Sequence, residues 1–186
     1  VEAEAVLALL TSFFGRNEAE EQDLSVGIIA PYTGQVQLYT SKLWGGPDST
    51  ASSRRVGKRV KLVRSVDGFQ GNEQDIIVLS TVRCNSKGEI GFLADDRRLN
   101  VAITRARLRL WIVGHVPTLR KKSQRWEQLL DFAEVRNWVQ PVPDERGPLE
   151  RGVDTAFDDM AAGRGARRGA AAVPTPPPAP QRTAPP

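Results

Sequence analysis

A chain of 186 residues can build one ordinary domain with a sizeable core and is too short for two large ones. Its formal net charge of +4 suits a polyanionic partner without demanding one. One cysteine, Cys84, excludes a disulfide framework or a cysteine-built metal cluster within the chain, and no apolar run approaches the roughly 18 residues of a membrane span.

In chain order, Val6, Leu9, Leu10 and Phe13 recur at helical spacing and predict an amphipathic helix. "LSVGIIAP" reads as a strand stopped by Pro31, and "GQVQLYTSKL" as a helix. "LWGGPDSTASSRRVGKR" reads as a basic loop full of breakers. "VKLVRSV" and "DIIVLSTV" are strands, the second too apolar for a one-sided sheet, with a polar knot between them. Cys84, closing the second run, is expected to be small and partly buried. "ADDRRLNVAITRAR" places Leu99, Ala102, Ile103 and Ala106 on one helical stripe, with Asp95 or Asp96 as N-cap. "LRLWIVGH" is the last strand, and Trp126, Leu129, Leu130 and Ala133 stripe the last helix, with Trp111 and Trp126 in the core.

Apolar strands alternating with helices predict an α/β fold: three layers, with a mostly parallel sheet covered on both faces. In such sheets ligands meet the carboxyl ends of strands, and the polar knot is expected there. Residues 1–148 make this domain. Residues 149–186, rich in Gly, Ala, Pro and Arg, read as a disordered tail with polyproline II tendency. The only methionine is Met160, so Val1 is not an initiator and the chain reads as a piece of a longer protein. The single cysteine and the lack of a visible secretory signal fit an intracellular protein, nuclear or cytoplasmic, away from membranes.

"SVDGFQGNEQDIIVLSTVR" followed by "IGFLADDRRLNVAITRARLRLWIVGH" resembles motifs V and VI of superfamily 1 helicases, in the branch containing the nonsense-mediated-decay helicase and senataxin. "GIIAPYTGQ" resembles that branch's motif IV, with Ala30 where the family usually has Thr. The resemblance covers about residues 1 to 140. It implies the second of two RecA-like domains that close on ATP, with Mg²⁺ ligands and the phosphate loop supplied by the first domain of the same polypeptide. The only Gly-Lys pair here, Gly57-Lys58, is followed by Arg59, so G-x-x-x-x-G-K-[ST] is missing.

Arg98 and Arg105, seven residues apart, are expected on one helical face about 10 Å apart along the axis. By resemblance Arg105 is the arginine finger, which neutralises charge on the transferring phosphoryl group. Arg107 is expected to point elsewhere. The resemblance assigns Gln70, Gly71 and Glu73 to the nucleotide, Glu73 suiting a ribose hydroxyl better than a phosphate. The knot reads as a strand-to-helix turn ending in Gly71, where glycine lets backbone approach a ligand.

Contacts to single-stranded RNA or DNA are expected from Tyr32, Thr33, Gln35, Ser65, Val66, Asp67, Thr81, Val82, Arg83 and Asn85. Tyr32 could stack on a base. His115, the only histidine, is expected to serve as a cap or surface residue, since a metal site or Ser-His pair would need more partners. The implied function is ATP-driven 5′ to 3′ translocation and unwinding by the parent protein, the isolated chain lacking ATPase. The alternative is a non-enzymatic RecA-like module that binds RNA or a protein partner.

Overall fold

The computed structural model describes residues 2–16 and 23–141; the predicted tail lies outside them. Four strands, β1 (Val26–Ile29), β2 (Val60–Arg64), β3 (Gln74–Ser80) and β4 (Ala106–Val113), form one parallel sheet in the order β2-β1-β3-β4. The helices are α1 (Glu2–Arg16), α2 (Thr33–Leu43), α3 (Ala51–Gly57), α4 (Asp96–Ile103), α5 (Val116–Arg120) and α6 (Gln124–Glu134). The predicted three-layer, RecA-like α/β class is what the chain adopts.

Strand periodicity sorts the core. Val26, Ile28, Ile76 and Val78 face one side, where they meet Val6, Leu10 and Phe13 of α1 with Tyr39 and Leu43 of α2. Ile29, Ile77 and Leu79 face the other side and meet Phe69, Leu99, Ala102 and Trp126. β3 is buried on both faces, which explains its unbroken apolar sequence. Trp126 is fully enclosed, and its indole N–H donates to the Leu93 carbonyl at 3.0 Å. Trp111 is only partly buried, packed edge-on against Phe13.

Three expectations change. The basic loop contains a short helix, α3. Thr50 and Ser53 close its first turn reciprocally, and the Ser53 hydroxyl also donates to the Lys42 carbonyl at 2.7 Å. A Ser/Thr pair three residues apart carried that signal. Cys84 is exposed rather than partly buried, because β3 has already ended at Ser80.

The third change concerns the polar knot. β2 and β3 are not neighbours, since β1 lies between them. Residues 65–73 cross the sheet face instead of turning into a helix, through one 3₁₀ turn (Asp67–Phe69) whose Phe69 is completely buried over β1. The knot is therefore split. Ser65, Val66 and Asp67 stay at the carboxyl ends of the strands, while Gln70, Gly71 and Glu73 arrive at the amino end of β3.

α4 makes the same journey on the same face, from the carboxyl edge to the amino edge. Asp95 caps it, its carboxylate accepting the Arg97 N–H at 2.9 Å. The crossover through α2 and α3 runs on the opposite face and in the opposite direction across the sheet, so all crossovers share one hand.

Candidate functional site

The candidate residues fall on two edges of the sheet. At the amino edge, the Gln74 N–H donates to the Arg105 carbonyl at 3.2 Å, which sets the turn before β3 beside the turn before β4. Gly71 has φ of 79°, and a Cβ there would meet nothing within 4 Å; the left-handed backbone, not crowding, is what calls for glycine. Gln70 and Glu73 are exposed on either side of it.

Arg105 is not on a helix. α4 ends at Ile103, and the Thr104 hydroxyl turns back to the Asn100 carbonyl at 2.8 Å, so the expected two-turn spacing between Arg98 and Arg105 does not hold. The Arg105 side chain folds over the helix end, with Nε donating to the Val101 carbonyl at 3.1 Å and Nη2 to the Thr104 hydroxyl at 3.0 Å. Among the described residues no carboxylate pairs with it. Its charge faces the C-terminal carbonyls of α4, a favourable place for a cation.

Arg107, expected to point elsewhere, joins this edge. Its guanidinium lies 3.5 Å from Glu73 and 4.0 Å from Asp75. Glu73 and Arg107 are both about half exposed, so the pair is worth little as stability. Asp75 is better held. Its carboxylate accepts from Ser25 Oγ at 2.6 Å and from the Ser25 N–H at 2.9 Å. Those bonds, with a smaller contribution from Arg107, hold its carboxyl below the usual carboxylate range.

The carboxyl edge gathers the remaining candidates after β1, β2 and β3. Strand order reverses between β1 and β3, and parallel sheets place ligand crevices at such a point. Tyr32 leaves β1 there and Arg83 leaves β3. Arg83 Nε donates to the Tyr32 hydroxyl at 2.6 Å, and its guanidinium lies 4.8 Å from the ring centroid. One ring face of Tyr32 is thus taken by Arg83. Thr33 opens α2 with Gln35 in its first turn, and Tyr32 at the N-cap provides no side-chain cap for the helix's leading N–H groups.

After β2, the Ser65 hydroxyl accepts the Gly68 N–H at 3.2 Å, Val66 is buried, and Asp67 meets Arg98 at 3.4 Å. After β3, Thr81 is fully buried, so its side chain faces the core rather than the edge. Val82 takes φ of 66°. Asn85 has both ends of its amide engaged with the backbone of Glu89, each at 2.9 Å. His115 stands at the N-cap of α5 without a side-chain bond to the helix N–H groups; its Nδ1 lies 2.7 Å from the Thr118 hydroxyl instead.

The sequence reading missed two participants. Glu2 reaches the end of β3, its carboxylate accepting from Ser80 Oγ at 2.6 Å and from the Val82 N–H at 2.9 Å. Nothing in a local pattern links residues 80 apart in sequence. Arg107 could have been found, because pairing of the two strand starts sets Gln74 opposite Ala106 and so places Arg107 beside Asp75, within a long side chain's reach of Glu73.

No group of three or more His, Cys, Asp or Glu suited to a metal ion occurs among the described residues, and no helix there is long and apolar enough to cross a membrane. Residues 1–117 match the AAA domain family. The chain is 41% identical over 129 residues to "Regulator of nonsense transcripts 1 homolog" of Neurospora crassa, covering 69% of this chain and 11% of that protein. It is 38% identical over 116 residues to "Helicase SEN1" of Saccharomyces cerevisiae, covering 60% and 5%. It is 43% identical over 131 residues to "DNA-binding protein SMUBP-2" of Mus musculus, covering 68% and 12%. The chain spans a small fraction of the length of each of these relatives.

Proposed function

The chain belongs to the AAA domain family, in the superfamily 1 helicase branch of the nonsense-mediated-decay helicase and senataxin, and on that premise we propose that it is the second RecA-like domain of an ATP-dependent helicase. The observation that carries the proposal is the partition of the candidates: the residues expected at the nucleotide lie on one edge of the sheet and those expected at nucleic acid lie on the other.

At the amino edge, Arg105 acts as the finger towards a triphosphate held mainly by the first domain of the same polypeptide. The donor set fits a partial nucleotide surface: a guanidinium without a carboxylate partner among the described residues, a left-handed glycine turn, and the Glu73 carboxylate beside it. Bound ATP supplies the phosphoryl-transfer chemistry, with Mg²⁺ held by ligands of the first domain. This chain's residues orient and neutralise. Arg105 moves from the α4 carbonyls to the phosphoryl oxygens, and Glu73 exchanges Arg107 for a ribose hydroxyl.

At the carboxyl edge, Tyr32, Thr33, Gln35, Ser65 and Asp67 with the turn Thr81–Asn85 line a channel for single-stranded RNA or DNA. Contacts go to the sugar-phosphate backbone, through the α2 N-terminus and Arg83, so base identity is not read. Val66 and Thr81, having buried side chains, contribute main-chain groups. α4 and residues 65–73 each run from one edge to the other, and they couple domain closure to a shift along the strand in the 5′ to 3′ direction.

The domain alone lacks a phosphate loop, so it is expected to hydrolyse no ATP. Phosphate release from the purified 186-residue chain tests this. Turnover that depended on Mg²⁺ and survived repurification would overturn the half-site assignment.

A further inference from the structure

The hydrogen-bond ladder between β3 and β4 ends where the Thr81 N–H donates to the Val113 carbonyl at 3.0 Å. The next N–H, that of Val82, has no strand to pair with. It points at Glu2, whose two carboxylate oxygens lie 2.9 and 3.0 Å away, and one of those oxygens also accepts the Ser80 hydroxyl at 2.6 Å. Val82 has φ of 66°, a region a β-branched residue rarely enters unless its surroundings impose it.

The reversal at Val82 turns Arg83 towards Tyr32. Gly91 leaves room for that pair: it has φ of 53°, and a Cβ there would sit 2.9 Å from the Tyr32 hydroxyl and 3.1 Å from Arg83 Nη2. Two residues on, the Asn85 N–H donates to the Thr118 hydroxyl at 2.9 Å. The segment between is therefore fixed at both ends, by Glu2 and by Thr118. Among the described residues Arg83 has no carboxylate partner, although it stands at the point where strand order reverses.

A carboxylate is an unwelcome neighbour for a phosphate-binding edge unless its charge is taken up internally. Glu2 meets that condition, because its acceptor oxygens are engaged by Ser80 and Val82. We propose that Glu2 is a positioning residue: it holds Val82 in the left-handed conformation and thereby aims the Arg83 guanidinium at the phosphate backbone of a single-stranded nucleic acid. The proposal rests on the carboxyl-edge reading above. It adds a residue outside the matched motifs and assigns the strained backbone a purpose.

The experiment has two arms. In the first, fluorescence anisotropy measures the affinity of the chain for fluorescein-labelled oligothymidylate and oligouridylate across a salt titration. Arg83→Gln should weaken binding about tenfold and lower the salt slope by about one. Glu2→Gln should lower the slope by a similar amount, and the double variant should be no weaker than Arg83→Gln alone. Val82→Gly in the Glu2→Gln background should recover affinity, because glycine takes a positive φ without a clamp. Ser80→Ala, a milder change, should shift affinity the same way by less.

A purely structural Glu2 would lower the melting temperature, leave the slope unchanged and combine additively with Arg83→Gln. That result overturns the proposal. If the unsubstituted chain bound neither oligonucleotide, the carboxyl-edge reading and the aim assigned to Arg83 would fall together.

The second arm needs no nucleic acid. Cys84 is the only cysteine, is exposed, and directly follows Arg83. A nitroxide there should report a sharper, more mobile spectrum in Glu2→Gln and a return towards the parent line shape when Val82→Gly is added. An unchanged spectrum in Glu2→Gln means that Glu2 does not hold the turn, whatever the binding data show.

Discussion

The two edges of the sheet are built differently. At the carboxyl edge several candidates are already held: Arg83 by Tyr32, the Val82 N–H by Glu2, Asn85 by Glu89 and Thr118, Asp67 by Arg98. At the amino edge Gln70 is exposed, Glu73 meets only the half-exposed Arg107, and Arg105 is tied only to the end of its own helix. A surface that must accept a backbone of any sequence gains from being preorganised. A surface that must engage and release a nucleotide with each domain closure gains from side chains held by bonds that exchange easily. The difference in fixation matches the difference between the two proposed tasks, and it can be attacked one edge at a time.

The largest separation should come from Arg105→Ala in the intact protein that carries this domain. Turnover should fall by about 10³ to 10⁵, or about 4–7 kcal/mol of transition-state stabilisation. Oligonucleotide affinity measured without nucleotide should remain, because Arg105 sits at the other edge. Steady-state phosphate release and anisotropy on the same preparation read both. Parallel loss of both activities would mean that the edges do not act separately.

Trp126→Ala should do what no edge substitution does and harm both. Trp126 is enclosed beneath the face crossed by α4 and by residues 65–73, and it carries a buried bond to Leu93. The expected cost is about 3–5 kcal/mol, read as a fall in the urea midpoint. A stable Trp126→Ala variant with only one activity reduced would argue that the two edges rest on different parts of the core.

Thr104→Val is subtler. It removes the hydroxyl that caps α4 and accepts from Arg105, while keeping the shape of the side chain. Loss of about 1 kcal/mol of positioning should lower turnover roughly fivefold and leave oligonucleotide binding alone. Unchanged turnover would show that the resting contact of Arg105 does not prepare it for its task.

Much of this architecture was legible in the sequence. β1 and β3 declared themselves by unbroken apolar runs, α1 and α6 by their stripes, and the N-cap of α4 by Asp95. What failed had a common cause. Arg98 and Arg105 share a helical spacing, but spacing says nothing about where a helix stops; Thr104 ends α4 through its own hydroxyl. The polar knot was placed at one edge because a strand end was taken to open a helix. Strand direction decides that: β2 and β3 both run parallel to β1, so the chain had to return from the carboxyl edge to the amino edge before β3 could begin. Glu2 was invisible because its partners, Ser80 and Val82, are adjacent in space but far away in the sequence. The residue types within the site were readable, while their distribution over two edges required the topology.

The smallest expected effect concerns how the amino edge is anchored. Asp75 ties the start of β3 to Ser25, just before β1, and its carboxyl is held below the ordinary range chiefly by the Ser25 hydroxyl. A lowered folded-state pKa contributes stability that is complete above the unfolded value, about 3.9, and is lost as pH falls through the folded one. Ser25→Ala removes the main cause. The gap in urea midpoint between the parent and Ser25→Ala should therefore be widest near neutral pH and narrow as the solution is taken below about pH 4. It should not vanish, because the Ser25 hydroxyl also accepts the Asp75 N–H at 3.1 Å, a bond indifferent to pH in this range. The pH-dependent part should stay under about 1 kcal/mol at a site that water partly reaches. A gap that widened towards acid would reverse the sign and show that the carboxylate is tolerated at this edge rather than stabilised by it.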